Sequence, residues 1–124
     1  MNYRVLIVDD LEFMRTLLTD IVTDAGMEVP GVAEDGRQGL RAYVAYSPDI
    51  VLLDIAMPEM DGLTTLERLK YIDPHARVIM CSALGEQAMI VRAIQLGARD
   101  FVVKPFQPER VVNAITRVMT ADEM

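Results

Sequence analysis

Cysteine occurs once, at Cys81, so the chain has no disulfide within itself to staple its fold. Long apolar runs are also missing. The longest, such as Val5 to Val8 and Ile50 to Leu53, are far too short to cross a bilayer, so no membrane insertion is expected. The opening residues run straight into an apolar segment with no charged n-region, h-region or cleavage site, and a cytoplasmic location is the expectation. Positive charge is scarce: twelve Lys and Arg stand against nineteen Asp and Glu, a net charge of −7. That balance disfavours nucleic acid, whose phosphates select basic surfaces, and leaves protein partners as the expected contacts. Histidine also occurs once, as His75 in the Asp73-Pro74 turn, so no histidine pair exists to hold a metal. No G-x-G-x-x-G is present, and no repeat, low-complexity stretch or linker interrupts the 124 residues, which are expected to form one domain over 1–124.

What the chain has instead is a regular alternation. Short β-branched runs over Arg4–Asp9, Glu28–Ala33, Ile50–Asp54, Arg77–Cys81 and Phe101–Val103 alternate with helical spacing. The helical segments are Leu11–Ala25, Gly36–Tyr46, Leu63–Ile72, Glu86–Leu96 and Pro108–Met119. Five βα units in a row predict an α/β fold, a parallel sheet with helices on both faces. Two runs are apolar without a break, as central strands buried on both sides require. Gly26, Ser47-Pro48, Asp73-Pro74 and Gly97 supply the helix stops.

In such sheets the functional groups sit at the carboxyl ends of strands. Those ends carry Asp9 and Asp10, Asp54, Cys81 and Ser82, and Lys104. Three carboxylates at one edge repel one another unless a cation lies among them. Mg²⁺ suits a site of few carboxylates, several waters and room for a phosphate oxygen. A carboxylate is also a competent nucleophile toward phosphorus, with Lys104 and Ser82 available to balance charge on phosphoryl oxygens.

Each residue also has a plainer reading. Asp10 at a helix start is a candidate N-cap, Asp54 a loop acid, Lys104 a surface lysine, and Ser82 a local backbone cap. Cys81 reads as a small buried hydrophobe, and the methionines as core filler. It is the joint register of Asp9, Asp10, Asp54 and Lys104 that favours chemistry.

Four segments together resemble the receiver-domain family of two-component response regulators over nearly the whole chain. They are Val5-Leu6-Ile7-Val8-Asp9-Asp10, the run from Asp49 to Gly62, Cys81-Ser82-Ala83, and Phe101-Val102-Val103-Lys104-Pro105-Phe106. Cys81 to Met89, Lys104 to Val112 and Phe13-Met14-Arg15 resemble the chemotaxis-type single-domain members. The resemblance implies a doubly wound (βα)5 flavodoxin-like fold of strand order 2-1-3-4-5, an order inherited from the family rather than read from these residues. It implies Asp54 as phosphoacceptor, Mg²⁺ on Asp10, Asp54 and the backbone carbonyl of Ala56 with Asp9 assisting through water, and Ser82 and Lys104 on the phosphoryl group. It further implies a cis Lys104-Pro105 bond, a switch formed by Ser82 and Phe101, and Ala56 and Leu84 as the positions that tune dephosphorylation. Phe101 stands where tyrosine is commoner, so this switch ring has no hydroxyl.

A histidine kinase is the implied phosphodonor, and an output protein the implied partner, a flagellar motor switch component if the pathway is chemotaxis. The output surface would comprise the fourth helix, fifth strand and fifth helix, with Ile90, Ile94 and Phe101. Apolar residues surround much of the fourth helix, which admits either deep packing or a partly apolar outer face.

The alternatives are a stand-alone receiver in another phosphorelay or regulatory pathway, a small aspartate-based phosphohydrolase and a flavodoxin-like cofactor binder. A small aspartate-based phosphohydrolase usually carries Asp-x-Asp, whereas these acids are adjacent. A flavodoxin-like cofactor binder needs a Ser/Thr/Gly-rich loop where this chain has Asp9-Asp10-Leu11-Glu12.

Overall fold

The computed structural model describes residues 2–121. Five strands alternate with five helices: β1 Arg4–Val8, α1 Glu12–Asp24, β2 Glu28–Ala33, α2 Gly36–Tyr46, β3 Ile50–Asp54, α3 Gly62–Ile72, β4 Val78–Ser82, α4 Gln87–Gln95, β5 Asp100–Val103 and α5 Pro108–Ala121. All pairings are parallel and the order is β2-β1-β3-β4-β5, the doubly wound arrangement expected.

Strand alternation sorts the apolar residues into two cores. Val5, Ile7, Ile50, Leu52, Ile79 and Val102 face α1 and α5; Leu6, Val8, Val51, Leu53, Val78 and Met80 face α2, α3 and α4. β3 and β4 are buried along their whole length, which is why they carry no alternating polar residues. Cys81 is part of the first core, as a small hydrophobe.

Several ends differ from the sequence reading by a residue or two. β4 spans Val78–Ser82 rather than Arg77–Cys81, because Ser82 continues the ladder opposite Val103. Asp10 is not the cap of α1. Leu11 occupies that position without a side-chain bond, and the Leu11 N–H donates to Asp9 Oδ1 at 2.9 Å. True side-chain caps stand on α2, where Asp35 accepts from the Gln38 N–H, and on α3, where Asp61 accepts from the Thr64 N–H. Gly26 and Gly97 adopt the positive φ of helix stops. Among the described residues, no helix is long and apolar enough to cross a membrane.

α4 resolves the ambiguity of its pattern. Only Ala93 is buried within it; Ile90 is half-buried against the second core, while Met89, Val91 and Ile94 are exposed. It is therefore a helix with an apolar outer face, not a deeply packed one.

Candidate functional site

The site stands at the carboxyl edge of the sheet, where β1, β3, β4 and β5 release their chains. Asp9 is fully buried just beyond β1; its N–H donates to the Ala33 carbonyl at 3.0 Å, and Arg15 Nη1 donates to its carbonyl at 2.8 Å. Asp54 ends β3 almost fully buried. Behind it the chain turns into α3 through Gly62, where an added Cβ would lie 2.6 Å from Ile55 Cα. Only glycine lets α3 start this close to the strand end. Ser82 closes β4, buried, and its carbonyl accepts the Lys104 N–H at 2.7 Å. The Lys104-Pro105 bond is cis, as the family resemblance implies.

These supports bring four charged groups together. Lys104 Nζ lies 3.2 Å from Asp54 Oδ1 and 3.4 Å from Asp9 Oδ2. Carboxylate oxygens of Asp9, Asp10 and Asp54, one from each, all lie within 4.8 Å of one another. Burial first, then the neighbouring Asp9 charge, pushes the Asp54 carboxyl up to about 6, with Lys104 opposing the rise. Burial pulls the Lys104 ammonium down, but Asp54 and Asp9 more than offset it, so its pKa ends above the usual lysine value. Burial, then the Asp54 and Asp9 charges, pushes the Cys81 thiol up, which disfavours the thiolate.

The residues fit a hard divalent cation. Asp9 Oδ2 is buried yet accepts no hydrogen bond, its contact with Lys104 being an ion pair without that alignment. A buried acceptor left so, in a set of three carboxylates, is the donor chemistry Mg²⁺ takes. Ala56 is exposed at the rim, where its N–H donates to Asp54 Oδ1 at 3.4 Å.

Leu84, exposed in the β4–α4 loop, lines a concavity with Phe101, Val103 and Lys104. Phe101 is half-buried against the second core and opposite Met80 in the ladder. With Ile90, Val91 and Val103 it lines a cleft that reaches Ser82. Ile94 is exposed on α4 outside that cleft.

Sequence reading missed two contributors. In the sequence Arg15 stands only as part of a chemotaxis-like segment, yet it clamps the Asp9 carbonyl and approaches Glu34 Oε2 at 4.0 Å. Its signal was a basic residue just over a turn into the helix after an acidic pair. Gly62 was one letter of a family motif; the close approach behind Asp54 shows why no side chain fits there.

A carboxylate cluster at the switch point of a 2-1-3-4-5 sheet defines the class: a flavodoxin-like α/β protein with an oxygen-ligand cation site. The chain belongs to the response regulator receiver domain family, whose model matches residues 5–116. It is 54% identical over 118 residues to the chemotaxis protein CheY of Thermotoga maritima, covering 95% of this chain and 98% of that one. Identity to the chemotaxis protein CheY of Bacillus subtilis is 53% over 119 residues, 96% and 99% of the two chains. Among solved structures, the CheX-CheY-BeF3-Mg²⁺ complex of Borrelia burgdorferi superposes with a TM-score of 0.89 at 40% identity, covering 94% of this chain and 88% of that one. The protein is a receiver-type signalling switch of the phosphorylation-activated kind.

Proposed function

We propose that Asp54 accepts a phosphoryl group from the phosphohistidine of a kinase, and that the resulting change is read by a chemotaxis output protein. One Asp54 carboxylate oxygen attacks phosphorus; a P–O bond forms, the P–N bond to the donor imidazole breaks, and the imidazole leaves with the electron pair. Mg²⁺, held by Asp10, Asp54 and the Ala56 carbonyl with Asp9 assisting through water, would supply charge neutralisation on the phosphoryl oxygens. The chain's own groups do the rest. Lys104, already 3.2 Å from Asp54, keeps its ammonium where negative charge gathers. Ser82 offers its hydroxyl from the end of β4.

Switching follows from the cleft. Drawing Ser82 toward the phosphoryl group empties space beside Phe101, whose ring turns inward by packing alone because it has no hydroxyl. The surface of α4, β5 and α5, including Ile90 and Ile94, then changes its affinity for a flagellar motor switch component. Such a switch works only to the extent that the phosphoryl group favours one state over the other.

The observation that carries this reading is the buried Asp54–Lys104–Asp9 cluster at the strand ends. The test is intact mass after incubation with Mg²⁺ and a small acyl-phosphate donor. Gain of one phosphoryl group, absent in Asp54→Asn and after prior EDTA, supports it. An adduct that persists in Asp54→Asn refutes Asp54 as acceptor.

A further inference from the structure

The face opposite α1 and α5 carries a second surface that phosphoryl chemistry does not use. Among the described residues, the side chains of four arginines make neither a hydrogen bond nor an ion pair: Arg37, Arg41, Arg68 and Arg92. Three of them lie on α2 and α3. This clustering is notable in a chain of net charge −7.

Helical spacing sets the arrangement. On α2, Arg37, Arg41 and Val44 follow one stripe; on α3, Thr64, Arg68 and Ile72 follow another. The two helices pack side by side. Concavities mark both ends of the seam between them. One is lined by Arg37, Glu59, Met60, Thr64 and Arg68, the other by Leu40, Arg41, Val44, Ala45 and Ile72. Because both helices begin at the carboxyl edge of a parallel sheet, the polar end, with two arginines beside Glu59, lies toward the phosphorylation edge and the apolar end away from it.

Val44 is 65% exposed and Ile72 47%, and Tyr71 beside it is 90% exposed. Each stripe runs ~12 Å, two turns of helix. The Tyr43 hydroxyl donates to Asp73 Oδ2 at 2.7 Å and ties the end of α2 to that of α3.

We propose that this α2–α3 groove docks an amphipathic helix of another protein, acidic in its N-terminal half and apolar in its C-terminal half. Arginines that form no ion pair within the chain select carboxylates, and Val44 and Ile72 take the apolar anchors. Acidic residues at the N-terminal end of the docked helix also suit its own dipole, which sets it parallel to α2 and α3. An anionic membrane fits poorly, because the remaining surface of an acidic chain repels it. This docking is independent of the phosphorylation reading, and its test needs no phosphodonor.

The probe is a synthetic helical peptide of about 16 residues, long enough to fold in water, with Glu along one stripe of its first half and Leu along the same stripe of its second. The control replaces Glu by Lys. Titrated into the ¹⁵N-labelled full chain, the acidic peptide is expected to shift amides of α2 and α3. In the double variant Arg37→Glu/Arg68→Glu, its dissociation constant is expected to rise roughly tenfold or more at low salt. The variant's melting temperature checks that it folds, and Val44→Ser/Ile72→Ser gives an independent loss at the apolar end. Shifts absent or located elsewhere, or equal binding of the Lys peptide, overturn the proposal. So do α2–α3 shifts that arise from anionic vesicles or from raising protein concentration but not from the acidic peptide; those outcomes assign the face to lipid or to a second copy of the chain.

Discussion

Lys104 Nζ lies 3.2 Å from Asp54 Oδ1 although fifty residues separate the two in the chain. Its ammonium is the charge that makes three gathered carboxylates tolerable without a metal, and its reach also includes Asp9. The balance is incomplete: Asp54 is still pushed up to about 6, and Asp9 Oδ2 still accepts no hydrogen bond. The fold thus holds repulsion at its functional edge, and a bound cation relieves it.

Asp9→Asn removes one of the repelling charges. Metal-free protein is expected to gain about 1 kcal/mol of stability, because Asp54 loses a buried like-charge neighbour. The stabilisation that Mg²⁺ gives the parent chain should shrink by more than that. Urea unfolding in EDTA and in Mg²⁺ reads both quantities. A variant less stable in EDTA, with the Mg²⁺ increment unchanged, contradicts this account.

Gly62 and Gly26 separate two meanings of glycine. At Gly62 an added Cβ would meet backbone atoms of Asp54 and Ile55, which have no rotamer in which to yield. Gly62→Ala should cost about 3 kcal/mol and slow phosphoryl acceptance, since α3 must retreat from Asp54. At Gly26 nothing lies within 4 Å, but φ is +86°. Gly26→Ala should therefore cost about 1 kcal/mol with acceptance unchanged. Chemical denaturation paired with phosphorylation rates distinguishes them; equal loss of acceptance in both would remove the positional role of Gly62.

The order of elements and the acidic edge were legible because burial on both faces forces unbroken apolar runs, and strand ends must place their polar residues at the edge. The end of β4 was not, since Ser82 joins the strand only through its ladder opposite Val103, a neighbour twenty-one residues away. Periodicity likewise showed that α4 is apolar almost all round, without revealing that it buries only Ala93. Which side of a helix is covered depends on elements distant in sequence. The α2–α3 seam belongs to the same tertiary class, whereas the clamp of Arg15 on Asp9 is local, six residues apart.

Tyr43 and Asp73 form a hydrogen bond whose contribution depends on pH in both directions. The Tyr43 hydroxyl, then the His75 N–H, holds Asp73 below the usual carboxylate range. Burial, then Asp73, raises Tyr43 above the usual tyrosine range. A depressed carboxyl stabilises the fold above its unfolded pKa and loses that contribution as pH falls through the folded one. A raised phenol stabilises below its unfolded pKa and loses it as pH rises. Tyr43→Phe should then cost about 0.5–1 kcal/mol near neutrality, the low figure reflecting solvent around Asp73. The difference from the parent should narrow below about pH 4 and above about pH 10. A pH-independent difference in unfolding free energy would reduce the pair to simple packing.

Ala56 lies two residues beyond Asp54 and Leu84 two beyond Ser82, and both side chains are exposed. Hydrolysis of the aspartyl phosphate needs a water aligned behind phosphorus, and neither a methyl nor an isobutyl group can hydrogen-bond one into place. The phosphorylated chain is therefore expected to lose its phosphoryl group slowly. Ala56→Asn or Leu84→Glu adds a polar group at these positions, which should speed decay by roughly tenfold, an effect of about 1.4 kcal/mol on the barrier. Because both positions are exposed, folding stability should stay within about 0.5 kcal/mol of the parent, so a faster decay can be read as chemistry. The measurement is the time course of the phosphorylated mass after the donor is removed, with Leu84→Met as an apolar control. Faster decay in Ala56→Asn and Leu84→Glu but not in Leu84→Met assigns the lifetime to water alignment at these positions; unchanged decay in the polar variants places its control elsewhere.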